Sequence, residues 1–245
     1  CTYIVHDRDE DMKNTLTAGA ALLLTTSIAS AGGLDRSGQG IGAIFEDGNY
    51  VEFSIGQVTP DVSGTLQTPG PLLESGNIAP SYTQLGAAFK TQLNEQTSIA
   101  LIFDQPYGAD VDYDTSGYIL FGTNAQVKSQ ALTGLMRYEL DNTYSVHGGV
   151  RFLSASGDYL RTPVDPDGPG PAPVIPGYES EYSSGSGAGV VFGGAYERQD
   201  IALRVALTYS SEIDLDLPGS AGDLSTTMPE SINLDFQTGI AADTL

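Results

Sequence analysis

The chain has 245 residues, 40% of them hydrophobic, with 30 Gly, 13 Pro and no Trp, enough for one large β domain or two small ones. Ten Lys and Arg stand against 31 Asp and Glu, a formal net charge of −21; so acidic a balance disfavours any surface that must neutralise phosphates and excludes nucleic-acid binding. A single Cys and two His, His6 and His147, leave no disulfide framework, no Cys-based zinc pattern and no basis for a histidine metal site, so no metal or cofactor is expected.

In chain order, Met12-Lys13-Asn14 supplies a start and a positive charge, residues 18–28 a short apolar stretch, and Ala29-Ser30-Ala31 an A-x-A cleavage site. Residues 12–31 therefore read as a secretory signal peptide. Residues 1–11 carry Asp7, Asp9, Glu10 and Asp11 where a leader wants basic charge, and read as a spurious upstream extension. Cys1 precedes the leader, which argues against a lipidated cysteine. No other apolar run approaches the roughly 18 residues that a spanning helix needs.

After residue 48 helical periodicity gives way to period-2 alternation, the mark of strands with one apolar and one polar face. Eight segments can be drawn: 49–58, 82–93, 96–104, 124–138, 144–153, 186–196, 201–210 and 231–240. The fifth is the clearest, with Tyr144, Val146, Gly148, Val150 and Phe152 on one face and Ser145, His147, Gly149 and Arg151 on the other. Connections near 94–95, 140–143 and 197–200 are tight. Those at 59–80, 105–123, 154–185 and 211–230 are long and rich in Gly, Pro, Ser and Asp. Short turns at one end and long loops at the other are the pattern of a transmembrane antiparallel up-and-down β-barrel. An apolar face opposite a small and polar one suits lipid outside and water inside. The competing reading is a secreted all-β sandwich with one solvated face. Segment 163–177, with six prolines, reads as a stiff extended loop tip.

The phrases Gly32-Gly-Leu-Asp-Arg-Ser-Gly-Gln-Gly-Ile-Gly-Ala-Ile-Phe-Glu-Asp-Gly-Asn49, Val58-Thr-Pro-Asp-Val-Ser-Gly64, Ala79-Pro-Ser-Tyr-Thr-Gln-Leu-Gly86, Ile102-Phe-Asp-Gln-Pro-Tyr-Gly-Ala-Asp110 and Pro229-Glu-Ser-Ile-Asn-Leu-Asp-Phe-Gln-Thr-Gly239 resemble the FadL/TodX family of outer-membrane transport proteins. The resemblance implies a 14-stranded barrel whose N-terminal segment folds into the lumen as a hatch, and passive transport of long-chain fatty acids or other hydrophobic compounds. By position the hatch is 32–48, including Gly38, Gly40, Gly42 and Phe45, and residues 49–245 are the barrel. Two departures stand out: the family's Asn-Pro-Ala phrase after the hatch is missing, and eight strands are visible, so the chain reads as a C-terminally truncated fragment, with a complete eight-stranded barrel as the rival. The implied location is the outer membrane of a Gram-negative bacterium, among outer-membrane lipid and lipopolysaccharide, as a monomer.

No nucleophile, base and orienting group can be assembled, so no enzymatic activity is expected. By strand parity Lys90, Arg137, Arg151 and Arg204 project to the interior, where a fatty-acid carboxylate could pair with them; lumenal acids such as Asp235 are the competing partners. Ile102 and Leu135 share that face and could line an acyl chain. His147 reads as a lumenal hydrogen-bonding residue. A general diffusion porin and a secreted binding or adhesion module remain as alternative functions.

Overall fold

The computed structural model describes residues 34–67, 72–165 and 173–239. The proposed leader and upstream extension, and the chain after 239, lie outside the described residues. Residues from Arg36 onward form one unit, and it alone is considered below.

The alternating segments become strands. In order they are β1 (Tyr50–Val58), β2 (Thr65–Leu66), β3 (Leu73–Glu74), β4 (Tyr82–Gln92), β5 (Thr97–Asp104), β6 (Gly108–Asp112), β7 (Asn124–Glu139), β8 (Tyr144–Arg161), β9 (Tyr178–Arg198), β10 (Leu203–Ser210), β11 (Ile213–Leu217), β12 (Leu224–Met228) and β13 (Ser231–Gln237). Eight of them form one antiparallel path, β1-β4-β5-β7-β8-β9-β10-β13, with β6 pairing on β7. The sheet is a curled half-barrel. Each of the eight segments drawn from alternation lies on this path. Among the described residues β1 and β13 are not paired with each other, so these residues do not form a closed eight-stranded barrel.

Parity sorts the two faces. On one side Val51, Phe53, Phe89, Leu101, Met136, Val150, Phe152, Phe192, Leu207, Ile232 and Phe236 are all exposed, Phe53 at 72%. Cross-strand register keeps them in one belt: Leu101 faces Gly134, Gly134 faces Val150, Val150 faces Val190, and Leu207 faces Leu234. On the other side Ala88, Lys90, Ala100, Ile102, Thr133, Leu135, Arg137, Ser145, His147, Arg151, Ala195, Ala206 and Thr208 are buried. The usual soluble arrangement is inverted, with large apolar side chains out and small or charged ones in.

Three corrections follow. First, the connection expected over 154–185 is mostly strand: β8 runs on to Arg161 and β9 begins at Tyr178, paired through Arg161↔Tyr178 with a bulge between Ala155 and Gly157. Beyond the apolar belt the convex side carries Ser154, Ser184 and Ser186 in place of large apolar residues, so alternation fades although pairing persists. Second, Ile201 is not in a strand; it ends a 3-10 turn, Gln199–Ile201, followed by Ala202 at φ +48°. Third, the long connections hold local structure: hairpin β2/β3 within 59–80, β6 within 105–123, and hairpin β11/β12 within 211–230.

The tight turns are fixed by their own acids and amides. Asn94 Oδ1 accepts the Gln96 and Thr97 backbone N–H groups, and Asp141 Oδ1 those of Thr143 and Tyr144, the Asx-turn device. At the third turn Arg198 hydrogen-bonds Asp200 and holds its carboxyl below the usual range.

Two glycines in the β7/β8 ladder make opposite demands. A Cβ on Gly149 would meet the Gly134 carbonyl carbon at 2.9 Å and Leu135 Cα at 3.0 Å, backbone that cannot step aside; a Cβ on Gly134 meets nothing within 4 Å. Gly149→Val is expected to lower unfolding stability by about 1–3 kcal/mol, and Gly134→Val to change it by no more than about 0.5 kcal/mol. Denaturant titration followed by circular dichroism checks both, and equal effects would contradict the assigned register.

Candidate functional site in the concave face

Residues 36–48 run across the concave face. The segment starts beside the long connections, where Arg36 lies 3.7 Å over the Tyr82 ring and its N–H donates to the Pro106 carbonyl at 2.8 Å. Ser37 Oγ donates to Asp104 at 2.7 Å, and Asn233 Nδ2 donates to the Gly38 carbonyl at 3.1 Å. Strands β5 and β13, far apart in the sheet order, are thus tied through the same few residues. Gly38 and Gln39 both have positive φ, 65° and 52°; glycine adopts this region freely, whereas Gln39 holds it at a steric cost. A one-turn 3-10 helix, Gly42–Phe45, then buries Ala43, Ile44 and Phe45. With Ile41 they pack on Ala88, Ala100, Ile102, Leu135, Val191, Ala195 and Ala206 of the wall. The segment leaves at the tight-turn end and enters β1.

Each inward cation identified from parity meets this segment. Lys90, 2% exposed, donates from Nζ to the Glu46 and Gly48 carbonyls at 2.8 and 2.9 Å and to Gln92 Oε1 at 2.8 Å. Arg151 donates to the Gln39 side-chain carbonyl and, through Nε, to Thr133 Oγ1 at 3.0 Å. Arg137 and Arg204 place their guanidinium carbons 5.0 and 4.9 Å from the centre of the Phe45 ring, a double cation–π contact. Arg137 also pairs with Glu197 and donates to Ser145 Oγ at 3.0 Å. Arg204 Nε is buried without a hydrogen-bond partner. His147 approaches the edge of the same ring, centroids 5.6 Å apart and planes at 89°, with Nε2 3.0 Å from Thr208 Oγ1.

Among the sequence candidates, Lys90, Arg137, Arg151, Arg204, His147, Ile102, Leu135 and Phe45 all lie in or around this contact. Gly40 and Gly42 lie on the rim of a cavity of about 540 Å³ between the segment and β1, β4 and β5, floored by Ser54, Gly56, Gly86, Ala88 and Ile102. Gln39 and Glu197 escaped the sequence reading. Glu197 was detectable in principle, since it has the same inward parity on β9 as Ala195. Gln39 carries no such signal, because its partner is 112 residues away. Asp235, offered as a neutraliser, lies on β13 next to β10 and in the field of Arg204.

The arrangement defines an antiparallel half-barrel with an apolar convex belt and a polar concave face occupied by its own N-terminal segment. No family model matches the chain, and no curated protein matches it. Among solved structures it is similar to the crystal structure of a Pseudomonas aeruginosa FadL homologue, at 18% identity and a TM-score of 0.48, over 69% of this chain and 43% of that one. The chain thus spans less than half of that protein's length.

Removing the Phe45 ring takes away the group shared by two guanidiniums and an imidazole. Phe45→Ala is expected to cost the segment about 3–5 kcal/mol of local stability, the range for a buried Phe. Hydrogen exchange at the Ile44 and Glu46 amides, which bond Ile41 and Ala43, should accelerate while amides central to β8 keep their protection. Unchanged exchange would show that the ring does not hold the segment.

Proposed function

We propose that the protein is an outer-membrane transport barrel that passes long-chain fatty acids or related hydrophobic carboxylates without chemically converting them. The observation that carries this reading is the inverted face distribution: along the eight strands one parity is apolar and exposed, while the opposite side buries Lys90, Arg137 and Arg151 and half-buries Arg204. A sheet of this kind is at ease only with hydrocarbon on its convex side and a polar interior on the other. Tyr144 to Phe152 lies at the lower end of the roughly 9–11 residues that a tilted transmembrane strand uses. A closed wall also needs ladder partners for the outer edges of β1 and β13.

Membership of the FadL/TodX family belongs to the same proposal, as do export by the 12–31 leader, residence in a Gram-negative outer membrane beside lipopolysaccharide, and action as a monomer. Residues 36–48 act as the hatch. Its Glu46 and Gly48 carbonyls, Gln39 amide oxygen and Phe45 ring present electron-rich surfaces to the four cations, as a carboxylate would. Arg204, whose Nε makes no hydrogen bond, is the preferred carboxylate partner, with Arg137 across the Phe45 ring; a ligand carboxylate there competes with Asp235 and Glu197, which already lie in its field. The 540 Å³ cavity, bordered by Ile102 and Ala88 but also by Glu46, Glu52 and Asp104, falls within the range of ligand pockets; its apolar floor is where an acyl chain would lie.

Two outcomes are expected. In liposomes the protein takes up oleate faster than it admits sugars, and Arg204→Gln weakens oleate binding far more than binding of its methyl ester. Sugar flux without oleate uptake would refute the transport reading, and equal loss for acid and ester would refute the role of Arg204. At the level of the wall, Val150→Arg should destabilise the lipid-embedded protein by about 2–4 kcal/mol and Ser154→Arg, beyond the belt, by about 0–1 kcal/mol. Reversible unfolding from lipid vesicles measures the difference, and a flat profile would argue for a solvated convex face.

A further inference from the structure

The connection between β10 and β13 does not extend away from the sheet. Its hairpin β11/β12 lies against the concave side of β9 and β8, near the long connections. In β11 every second residue, Ile213, Leu215 and Leu217, is buried, and these three pack with Ala131, Leu153 and Ala155 of the wall. The intervening Asp214 and Asp216 are exposed and accept hydrogen bonds from Thr227 and Ser225 of β12, both at 2.6 Å. The hairpin therefore has an apolar side on the wall and a polar side toward water.

Its seat is a row of glycines. Gly185, Gly187 and Gly189 fall at every second position of β9, all on the concave side. A Cβ on Gly187 would collide with the Asp214 carbonyl and lie 2.6 Å from Ile213 Cγ2; one on Gly189 would lie 2.8 Å from Ile213 Cγ1; one on Gly185 would collide with the Asp216 carbonyl. Real side chains do not approach so closely, so only glycine lets β11 rest on β9. Both ends are pinned. The Ser211 N–H donates to the Val190 carbonyl at 2.9 Å; at the far end the Ser183 N–H donates to the Pro218 carbonyl at 2.9 Å and the Ser220 N–H to the Glu181 carbonyl at 3.0 Å.

We propose that β11/β12 is an inward-folded constriction that determines which solutes enter, seated by the glycine row Gly185, Gly187 and Gly189. It covers the wall at Leu153 and Ala155 with apolar side chains and narrows the approach to the concave face for hydrated solutes. A hydrocarbon chain can replace Ile213, Leu215 and Leu217 on that wall at little cost in apolar contact, whereas a sugar cannot. The inference rests on the transport reading for its purpose, but the seat itself is a property of the fold.

The test uses the full chain in detergent micelles, with Cys1→Ser and the buried Ala155→Cys as reporter, and a charged, water-soluble thiosulfonate as probe. Labelling is expected to be at least about tenfold faster when Gly187→Leu is added, because local protection is lost with the hairpin. A second variant, with residues 212–229 replaced by a short Gly-Ser link, should label as fast and keeps the test decisive if Gly187→Leu does not fold. In liposomes both variants should admit sugars that the parent excludes. Rapid labelling of the parent, or equal labelling in parent and excised protein, would overturn the constriction. Failure of oleate uptake with the labelling difference intact would instead count against the transport reading alone.

Discussion

Four cations enclosed by one face of a sheet are the constraint from which the rest of the arrangement follows. A buried charge is tolerated only with partners close by, and the wall supplies part of them: Glu197, Glu139 and Ser145 for Arg137, Thr133 and Ser210 for Arg151, Gln92 for Lys90, and Asp235 and Glu197 in the field of Arg204. The remainder comes from residues 36–48. Two backbone carbonyls complete Lys90, a Gln amide completes Arg151, and one aromatic ring serves both Arg137 and Arg204. The segment is therefore part of the electrostatic structure of the wall. Its apolar residues, Ile41, Ile44 and Phe45, then give the concave face a small core of its own.

The convex face carries no comparable burden, and there the amino-acid sequence speaks most directly. A period of two requires only that each strand keep its parity, and each residue reports its own side. The eight strands of the path could accordingly be drawn from alternation alone, and the inward cations and Ile102, Leu135 and His147 found by parity. Where a strand leaves the belt the rule lapses. Ser154 to Arg161 and Tyr178 to Gly185 pair as well as their neighbours do, but on the convex side they have no large apolar belt to display. Ile201 failed for a different reason: it continues the alternation of β10 in sequence, yet the left-handed Ala202 separates it from the strand.

What could not be read directly was contact between distant parts of the chain. Ile213-Asp-Leu-Asp-Leu217 alternates plainly enough to be a strand, and Gly185-Ser-Gly187-Ala-Gly189 is plainly periodic. Neither points to the other. Glycine in a strand is ambiguous, since it can mark weak packing, a bulge or close approach of another backbone. Only the fold decides: Gly134 faces open space, Gly149 faces the backbone of β7, and Gly185, Gly187 and Gly189 face β11. The connecting segments of a wall tend to be read as spacers, and that habit hides a hairpin whose apolar side belongs to the core.

The concave face is covered in two places by different forces. Near the tight turns the 36–48 segment is held by charge, ammonium to carbonyl, guanidinium to amide oxygen and to ring, together with its own small apolar core. Near the long connections β11 is held by apolar contact and backbone hydrogen bonds on a glycine row. A solute that is only charged gains nothing at the second cover, and one that is only apolar gains little at the first, because displacing either means leaving its partners unsatisfied unless the newcomer replaces them. An amphiphile with a carboxylate at one end of a hydrocarbon chain offers a substitute for both sets of contacts. On the transport reading, selectivity then comes from this pairing of covers more than from any single pocket, and neutral sugars of similar size are excluded because they can repay neither.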